Sequence, residues 1–519
     1  MRLEKRAAKD YSTVLIAVTF LICLWIQTCT LPGTDIGWLV WGTGQMMGGA
    51  VLYKDIIESN PPLIYWLYAI PVELARHFAW PPVTTLRIAT MALIAAILPL
   101  CGMILQSSVL WRAKESRSFL LAIAVLLLWA DSFFIFAQRE HLLVVLLLPY
   151  VLLNLPSVSC RKAAAPFCIA IGLLAGLGLC LKPFFFIIWF AMLLYKFRHG
   201  GSARGIFQGA EAAIVLVALC YAASVGIFAP HYFGWLKIGF RIFTASGYLG
   251  ESKLSIAVWF AGLAAAGMAV AWAFGLFRLP PAARYASDVR YLIWVAAASY
   301  TEALTQFKDW KYIPFPFFAF GMLAVVALIL LKPVSNLLAI ALMGWAALPI
   351  TPLDDSRQDN YRQRYNDLMQ VIEPYHADNW YLFSLFFAPP EFYVAARPQW
   401  EEEIYNFHFM LAGVMKRFPS TGQPTLVVQP GKEWIERWML ENISDTLEQK
   451  RPGLIVVERK WNKEQPVKES FDFTAWFTHD ARLVGILRQY RLQKKVELCA
   501  ARNANWRCTY AIYKREAAR

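Results

Sequence analysis

Long apolar runs fill the first 350 residues and then stop, and nothing else in the sequence restricts the fold as much. They lie near residues 12–31, 87–108, 118–137, 141–155, 164–181, 183–197, 210–229, 254–277, 291–306, 313–331 and 335–350. Most are long enough, at about 1.5 Å rise per residue, to cross roughly 30 Å of hydrocarbon. A single soluble core is excluded: 58% of the residues are hydrophobic, 21 are Trp, and the mean hydropathy is +0.43. The expected fold class is a polytopic α-helical membrane protein with about 11 transmembrane helices, followed by a soluble C-terminal α/β domain.

Orientation follows from the short connections, because Lys and Arg concentrate on the inner side of a membrane. With the N-terminus inside, Arg2, Lys5, Arg6, Lys9, Arg112, Lys114, Arg117, Arg161, Lys162, Lys196, Arg198, Arg204, Arg278, Arg284, Arg290 and Lys332 all fall on that side. The net charge of +14 is therefore a matter of topology, and nucleic acid is not an expected partner. Charges precede the first run as in a signal peptide, but its length and the ten spans after it argue for an uncleaved anchor.

Residues 351–519 read as a separate domain in which basic and acidic residues nearly balance. Helical spacing runs from Asp359 to Tyr375, Lys432–Lys450 gives a second helix, and Tyr381–Phe386 and Gly453–Glu458 read as buried strands. An odd number of spans places this domain outside. Cys499 and Cys508 flank an expected hairpin turn at Ala501–Asn505, a pair able to close a disulfide in an oxidising compartment or to remain two free thiols.

Charges that break the inner-side pattern then become informative. Lys54, Arg139, Lys182, Lys237, Arg241, Lys253, Lys308 and Lys311 fall at outer ends of spans, as do Asp35, Asp55, Glu58, Glu140, Glu251, Glu302 and Asp309. Such charges are costly near lipid unless they pair or line a polar cavity, so several connections should converge on one outer, ionic cavity. At mid-depth Asp131 is the clearest ionisable residue, which weakens the reading as a transporter, whose site belongs near the bilayer centre.

Five sequence elements together resemble the GT-C glycosyltransferases, in particular the protein O-mannosyltransferase and lipid A aminoarabinose transferase group. They are Asp35 after the first span, the Tyr53-x-Asp55 and Pro61-Pro62 stretch in an external loop over 33–86, and the turn Gln138-Arg139-Glu140-His141. Lys182-Pro183 and Gln306-x-Lys308-x-Trp310-x-Tyr312 complete the set. The resemblance covers residues 1–350 and implies transfer of a sugar from a polyprenyl-phosphate donor to a hydroxyl of an envelope glycan, lipid or protein. It implies an enzyme in the bacterial inner membrane, with the N-terminus cytoplasmic and the C-terminal domain periplasmic. A flippase for polyprenyl-linked sugars and a noncatalytic partner in polysaccharide assembly are the alternatives.

On that expectation Asp35 is the base toward the acceptor hydroxyl, and Glu140 stands where the group has its second external carboxylate, usually Asp. The leaving phosphate needs cations rather than a general acid, and Lys182, Lys308, Arg139 and Arg241 are the candidates. Lys54, Asp55, Glu58, Trp310 and Tyr312 are further candidates for substrate contact; Asn60 stands where the group has a Lys, so that one phosphate contact is either lost or supplied by Lys54. No cofactor follows from the residues themselves. The resemblance raises a divalent metal on Glu58 and His231, although their spacing contains no metal motif. Bland readings compete: Asp35 after Gly33-Thr34 suits a helix cap, Glu140 suits a simple pair with Arg139, and Trp38, Trp41, Tyr65, Trp66, Tyr232, Trp235, Tyr248, Trp310 and Tyr312 suit an interfacial aromatic belt.

Overall fold

The computed structural model describes residues 11–331 apart from 59, 109, 131–134, 159–164, 200–208, 246–283 and 307–311. Beyond them it describes 355–377, 379–383, 400–401, 415–418, 425–428, 431, 433–462, 473–499 and 506–516. The expected spans at 254–277 and 335–350, and Asp131, lie outside the described residues.

Among the described residues the elements of the first part are helices: α1 (Ser12–Cys29), α2 (Thr34–Met47), α3 (Leu63–Phe78), α4 (Pro82–Gln106), α5 (Ala113–Leu128) and α6 (Arg139–Leu153) are followed by α7 (Ala165–Cys180). A 3-10 turn, Pro183–Phe185, leads into α8 (Phe186–Arg198), and α9 (Ala210–Phe228), α10 (His231–Ala245), α11 (Arg284–Thr305) and α12 (Phe315–Leu331) complete it. Three of these, α1, α4 and α9, are long and apolar enough by length and composition to cross a membrane, and α7 and α12 are shorter apolar helices. The break expected at Lys182-Pro183 is real: Lys182 is extended, and the proline opens the 3-10 turn.

Small residues let the helices approach. On α7, Gly172 and Gly176 are spaced i, i+4 on the face that meets α9. A methyl added at Gly172 would run into the backbone carbonyl of Ala210, and one at Gly176 would stand 2.8 Å from the Val217 side chain. This is the small-xxx-small packing of helices whose apolar faces gain nothing by leaving lipid. Polar side chains tie the ends. Buried Arg87 of α4 donates to the carbonyls of Gln27, Thr30 (2.6 Å) and Leu31 (3.0 Å), closing the C-terminal end of α1. At the end of the bundle where α4 finishes and α5 begins, buried Asp288 accepts from Trp111 Nε1 (3.1 Å) and from the Ser157 amide (2.9 Å) and hydroxyl (2.5 Å). That carboxylate fastens two connections to the start of α11, and the outer-end charges gather at the other end of the same helices.

The second part begins with α13 (Asp355–Ile372) and has a five-stranded mixed sheet. Its strands are β1 (Trp380–Phe383), β2 (Trp400–Glu401), β5 (Leu454–Asn462), β6 (Tyr490–Cys499) and β7 (Trp506–Arg515), in the order β2-β1-β5-β7-β6. β1 is parallel to β2 and β5, whereas β7 is antiparallel to β5 and β6. The central strands Trp380–Phe383 and Leu454–Val457 are buried at every position, as unbroken apolar runs in a covered sheet should be. β3 (Met415–Phe418) and β4 (Thr425–Val428) form a separate antiparallel pair, and α14 (Glu433–Lys450), α15 (Phe473–Phe477) and α16 (Ala481–Leu487) complete the described elements. The hairpin of β6 and β7 sets Cys508 opposite Leu498 and Cys499 opposite Arg507, so the two cysteines are one step out of direct cross-strand pairing.

The two parts touch through α10 and α14. Trp235 stacks on Trp438 with centroids 5.6 Å apart, and the Arg241 guanidinium lies 4.2 Å from the centre of the Trp434 ring.

Gly172→Val should separate α7 from α9 and cost about 1–3 kcal/mol or more, since the obstructing atom is backbone and cannot rotate away. Thermal unfolding in detergent should show a lowered midpoint for Gly172→Val and a near-native one for Gly226→Val, where an added Cβ meets nothing within 4 Å.

Candidate active site

Six separate segments bring ionisable residues to one end of the helical part. Arg139 and Glu140 open α6, Lys182 precedes the 3-10 turn after α7, Glu302 and Gln306 close α11, and Tyr312 stands in the turn before α12. Asp35 lies in the first turn of α2, and Glu58 in the loop that follows it.

The turn into α6 is built with care for its backbone. Ala137 has a positive φ of 67°, and its carbonyl accepts from the Tyr68 hydroxyl (2.7 Å). Its amide donates to His141 Nδ1 (3.2 Å), and His141 Nε2 meets the Leu127 carbonyl (2.8 Å), which fixes the tautomer with the proton on Nε2. These bonds hold Arg139 and Glu140 at the helix N-terminus, where the unpaired amides favour a carboxylate.

Lys182 forms the centre of a buried polar chain. Its Nζ pairs with Glu140 and donates to Gln306 Oε1 (3.0 Å), while Gln306 Nε2 donates to Glu302 one helical turn earlier. The ammonium also lies 5.6 Å from the centre of the Tyr312 ring and 5.8 Å from that of Phe185. Lys182 is thus neutralised and held. Arg139 differs: it is 2% exposed and faces the Tyr312 ring at 5.8 Å, and its Nε and Nη1 have no hydrogen-bond partner among the described residues. Its charge acts on Asp35, Glu58 and Glu140. A guanidinium buried with unused N–H groups is suited to receive an anion.

Asp35 as a residue is partly exposed, although its carboxyl is buried. The cap position of α2 is Gly33, and Asp35 lies two residues on, in the first turn of the helix. Burial pushes its carboxyl above the ordinary range, and the Arg139 charge and the neighbouring Tyr312 hydroxyl oppose that rise.

Glu58 is fully buried and saturated. One oxygen accepts from Trp38 Nε1 (2.6 Å) and the Tyr65 hydroxyl (2.7 Å), and the other accepts from the Asn60 amide (2.9 Å) and its side chain (2.6 Å). Burial raises its carboxyl too, against the lowering by Tyr65 and Arg139. The metal expectation does not fit these residues, since both oxygens would have to give up good donors and His231 is exposed. Among the described residues no three His, Cys, Asp or Glu side chains form a candidate metal site.

The belt expectation fails for Trp38, Tyr65 and Tyr312. All three are buried, because the first two donate to a carboxylate and the third stands over two cations.

Other candidates stand apart. Asp55 accepts from the Val51 amide (2.8 Å) and shapes its own loop, Lys54 is exposed, and Arg241 is engaged on Trp434. Lys308 and Trp310 lie outside the described residues. Sequence reasoning placed Glu302 among the outer-end charges, Gln306 in a motif and Trp38 in the belt, but gave none of them a specific part in the site. The i, i+4 spacing of Glu302 and Gln306 at the outer end of one helix was the available signal for two of them.

No model of a known protein family matches the chain, and no curated protein does. Among solved structures it is similar to ArnT from Cupriavidus metallidurans, crystallised bound to undecaprenyl phosphate. Identity is 11% over 97% of this chain and 98% of that one, with a TM-score of 0.44. At that score the likeness leaves both fold and function to rest on the residues themselves.

Removing one member of the buried pair strands the other. Lys182→Met should lower stability by about 3–5 kcal/mol, and Glu140→Gln with Lys182→Met by less than the sum of the two single losses. Denaturant unfolding of the four proteins would show purely additive losses if the pair were not a coupled unit.

Proposed function

We propose that the chain is a membrane glycosyltransferase that moves a sugar from a polyprenyl-phosphate donor to a hydroxyl of an envelope glycan, lipid or protein. The observation that carries this reading is the placement of Asp35: a carboxylate in the first turn of α2 on which the charges of buried Arg139, Glu140 and Lys182 act together. The one-sided gathering of charge at the ends of apolar helices, and the five-element resemblance of the first 350 residues, support it.

In this reading Asp35 accepts the proton of the acceptor hydroxyl as its oxygen attacks the anomeric carbon. The bond from that carbon to the phosphate oxygen breaks, and the phosphate leaves as an anion without needing a proton. Arg139 receives it through Nε and Nη1, which have no hydrogen-bond partner among the described residues, because charge-assisted bonds to phosphate are strongest where water is excluded. Lys182 contributes less directly: tied to Glu140 and Gln306, it keeps α6, α7 and α11 in register around the site. Glu140 holds Lys182 and adds negative charge near Asp35, which favours the protonated form of the base. The acceptor side faces the bacterial periplasm, where the C-terminal domain also lies.

The test is transfer by detergent-purified protein from a panel of labelled polyprenyl-phosphate sugars to an envelope extract, with Asp35→Asn beside the wild type. The expected result is transfer by wild type and a loss of about 10²-fold or more in the variant. Movement of intact donor lipid across vesicles with no cleavage of the sugar bond would instead make the protein a flippase. The pH profile gives a second check. The base must be ionised, so the rate should rise with pH through the Asp35 pKa, and its acid limb should lie above the ordinary carboxylate value of about 4.

A further inference from the structure

The C-terminal part carries a cleft of about 590 Å³, within the volume range of small-molecule sites, between the end of α14, α16 and the edge of the sheet. Its lining is mainly polar, which favours a polar ligand. Three arginines reach it from three segments: Arg451 after α14, Arg482 on α16, and Arg515 at the end of β7.

These arginines do different things. Arg482 is held by Asp445 (2.6 Å) and Glu448, which fastens α16 to α14 and uses both acids of the cleft. Arg451 and Arg515 have no ion-pair partner among the described residues. Arg451 donates through Nε alone, to the Glu448 carbonyl at 3.2 Å.

Arg451 is the residue that closes α14, its amide bonded to the Leu447 carbonyl (3.0 Å), and it sits at a φ of +46°. Helices usually place glycine there, because a side chain in the left-handed region is strained. Ala79, at the end of α3, takes the same conformation, so the backbone of Arg451 is a helix C-terminal cap that happens to line the cleft.

We infer that this cleft binds a saccharide unit carrying a negative charge, a carboxylate or a phosphate. Arg451 and Arg515 supply the anion contacts. Gln449 and Gln489 offer both donors and acceptors to sugar hydroxyls, which a simple anion site would not need. This deepens the reading above and rests on it for the periplasmic setting: the unit belongs to an acidic envelope glycan that presents its hydroxyl to the transferase site.

Binding is measured without turnover, on full-length protein in detergent, by calorimetry with four probes: a uronic-acid disaccharide, a hexose phosphate, a neutral disaccharide and inorganic phosphate. At least one acidic sugar should bind wild type and Asp35→Asn equally, with the neutral sugar and inorganic phosphate weaker by about tenfold or more. Arg451→Gly should weaken the acidic sugar by about tenfold or more while its melting temperature stays the same or rises, since glycine relieves the left-handed strain. Arg515→Gln should weaken it as well. Absence of binding by either acidic sugar, equal binding of inorganic phosphate and hexose phosphate, or undiminished binding by Arg451→Gly would overturn the assignment. Because Asp35→Asn is a binding control here, a failed transfer assay leaves this result intact, and a failed cleft leaves the transfer assay standing.

Discussion

Charge buried inside an apolar bundle is the constraint on which the rest of the structure depends. An ammonium and a carboxylate taken from water each lose several kcal/mol of solvation, and only a close partner with further hydrogen bonds recovers it. Lys182, in the break after α7, and Glu140, in the first turn of α6, meet that requirement, and Gln306 and Glu302 extend the chain to the end of α11. The bundle end is therefore fixed by electrostatics where α7 and α9 are fixed by close packing at glycines. Arg139 stands beside this network without being consumed by it, so a rigid surround holds a guanidinium with N–H groups left to give.

The same logic explains the loop above. Glu58 is buried because four donors reach it, and those donors come from α2, α3 and its own loop. Tyr53 belongs to this assembly: its hydroxyl donates to the Asn60 carbonyl (2.5 Å), and its ring lies 5.0 Å from that of Tyr232 on α10. Through Trp235 and Arg241, α10 reaches Trp438 and Trp434 of α14. A continuous set of aromatic and polar contacts thus runs from the C-terminal part to the loop carrying Glu58.

Much of the helical order was legible because apolar runs and charge punctuation report directly on which segments are helical. The breaks at Lys182-Pro183 and at Gln138–Arg139 fall where the residues place them. In the second part, the strands at Trp380–Phe383 and Leu454–Asn462 and the helix Glu433–Lys450 also lie close to the expected segments. Asp35, Arg139, Glu140, Lys182 and Tyr312 could be named because charge at a helix end is costly without a purpose. Their roles could not be ranked. Which cation is already paired depends on contacts between residues 42 and 124 positions apart, and no local pattern carries that information. For the same reason the motif alone put Lys182 first among the phosphate candidates, whereas our proposal prefers Arg139, because Lys182 is already paired with Glu140. Asp55 and Glu58 share a loop and a charge, yet one shapes a turn and the other anchors the site.

The most direct test of this account is whether Arg139 is the group that holds a lipid phosphate. Thermal unfolding of the purified protein, with and without a polyprenyl phosphate at about 100 times its dissociation constant, reads the binding as stabilisation of about 2.7 kcal/mol. Wild type and Asp35→Asn should both be stabilised by that amount, and Arg139→Gln, compared with its own unliganded form, should gain little. Equal stabilisation of Arg139→Gln, or none of the wild type, would contradict the account.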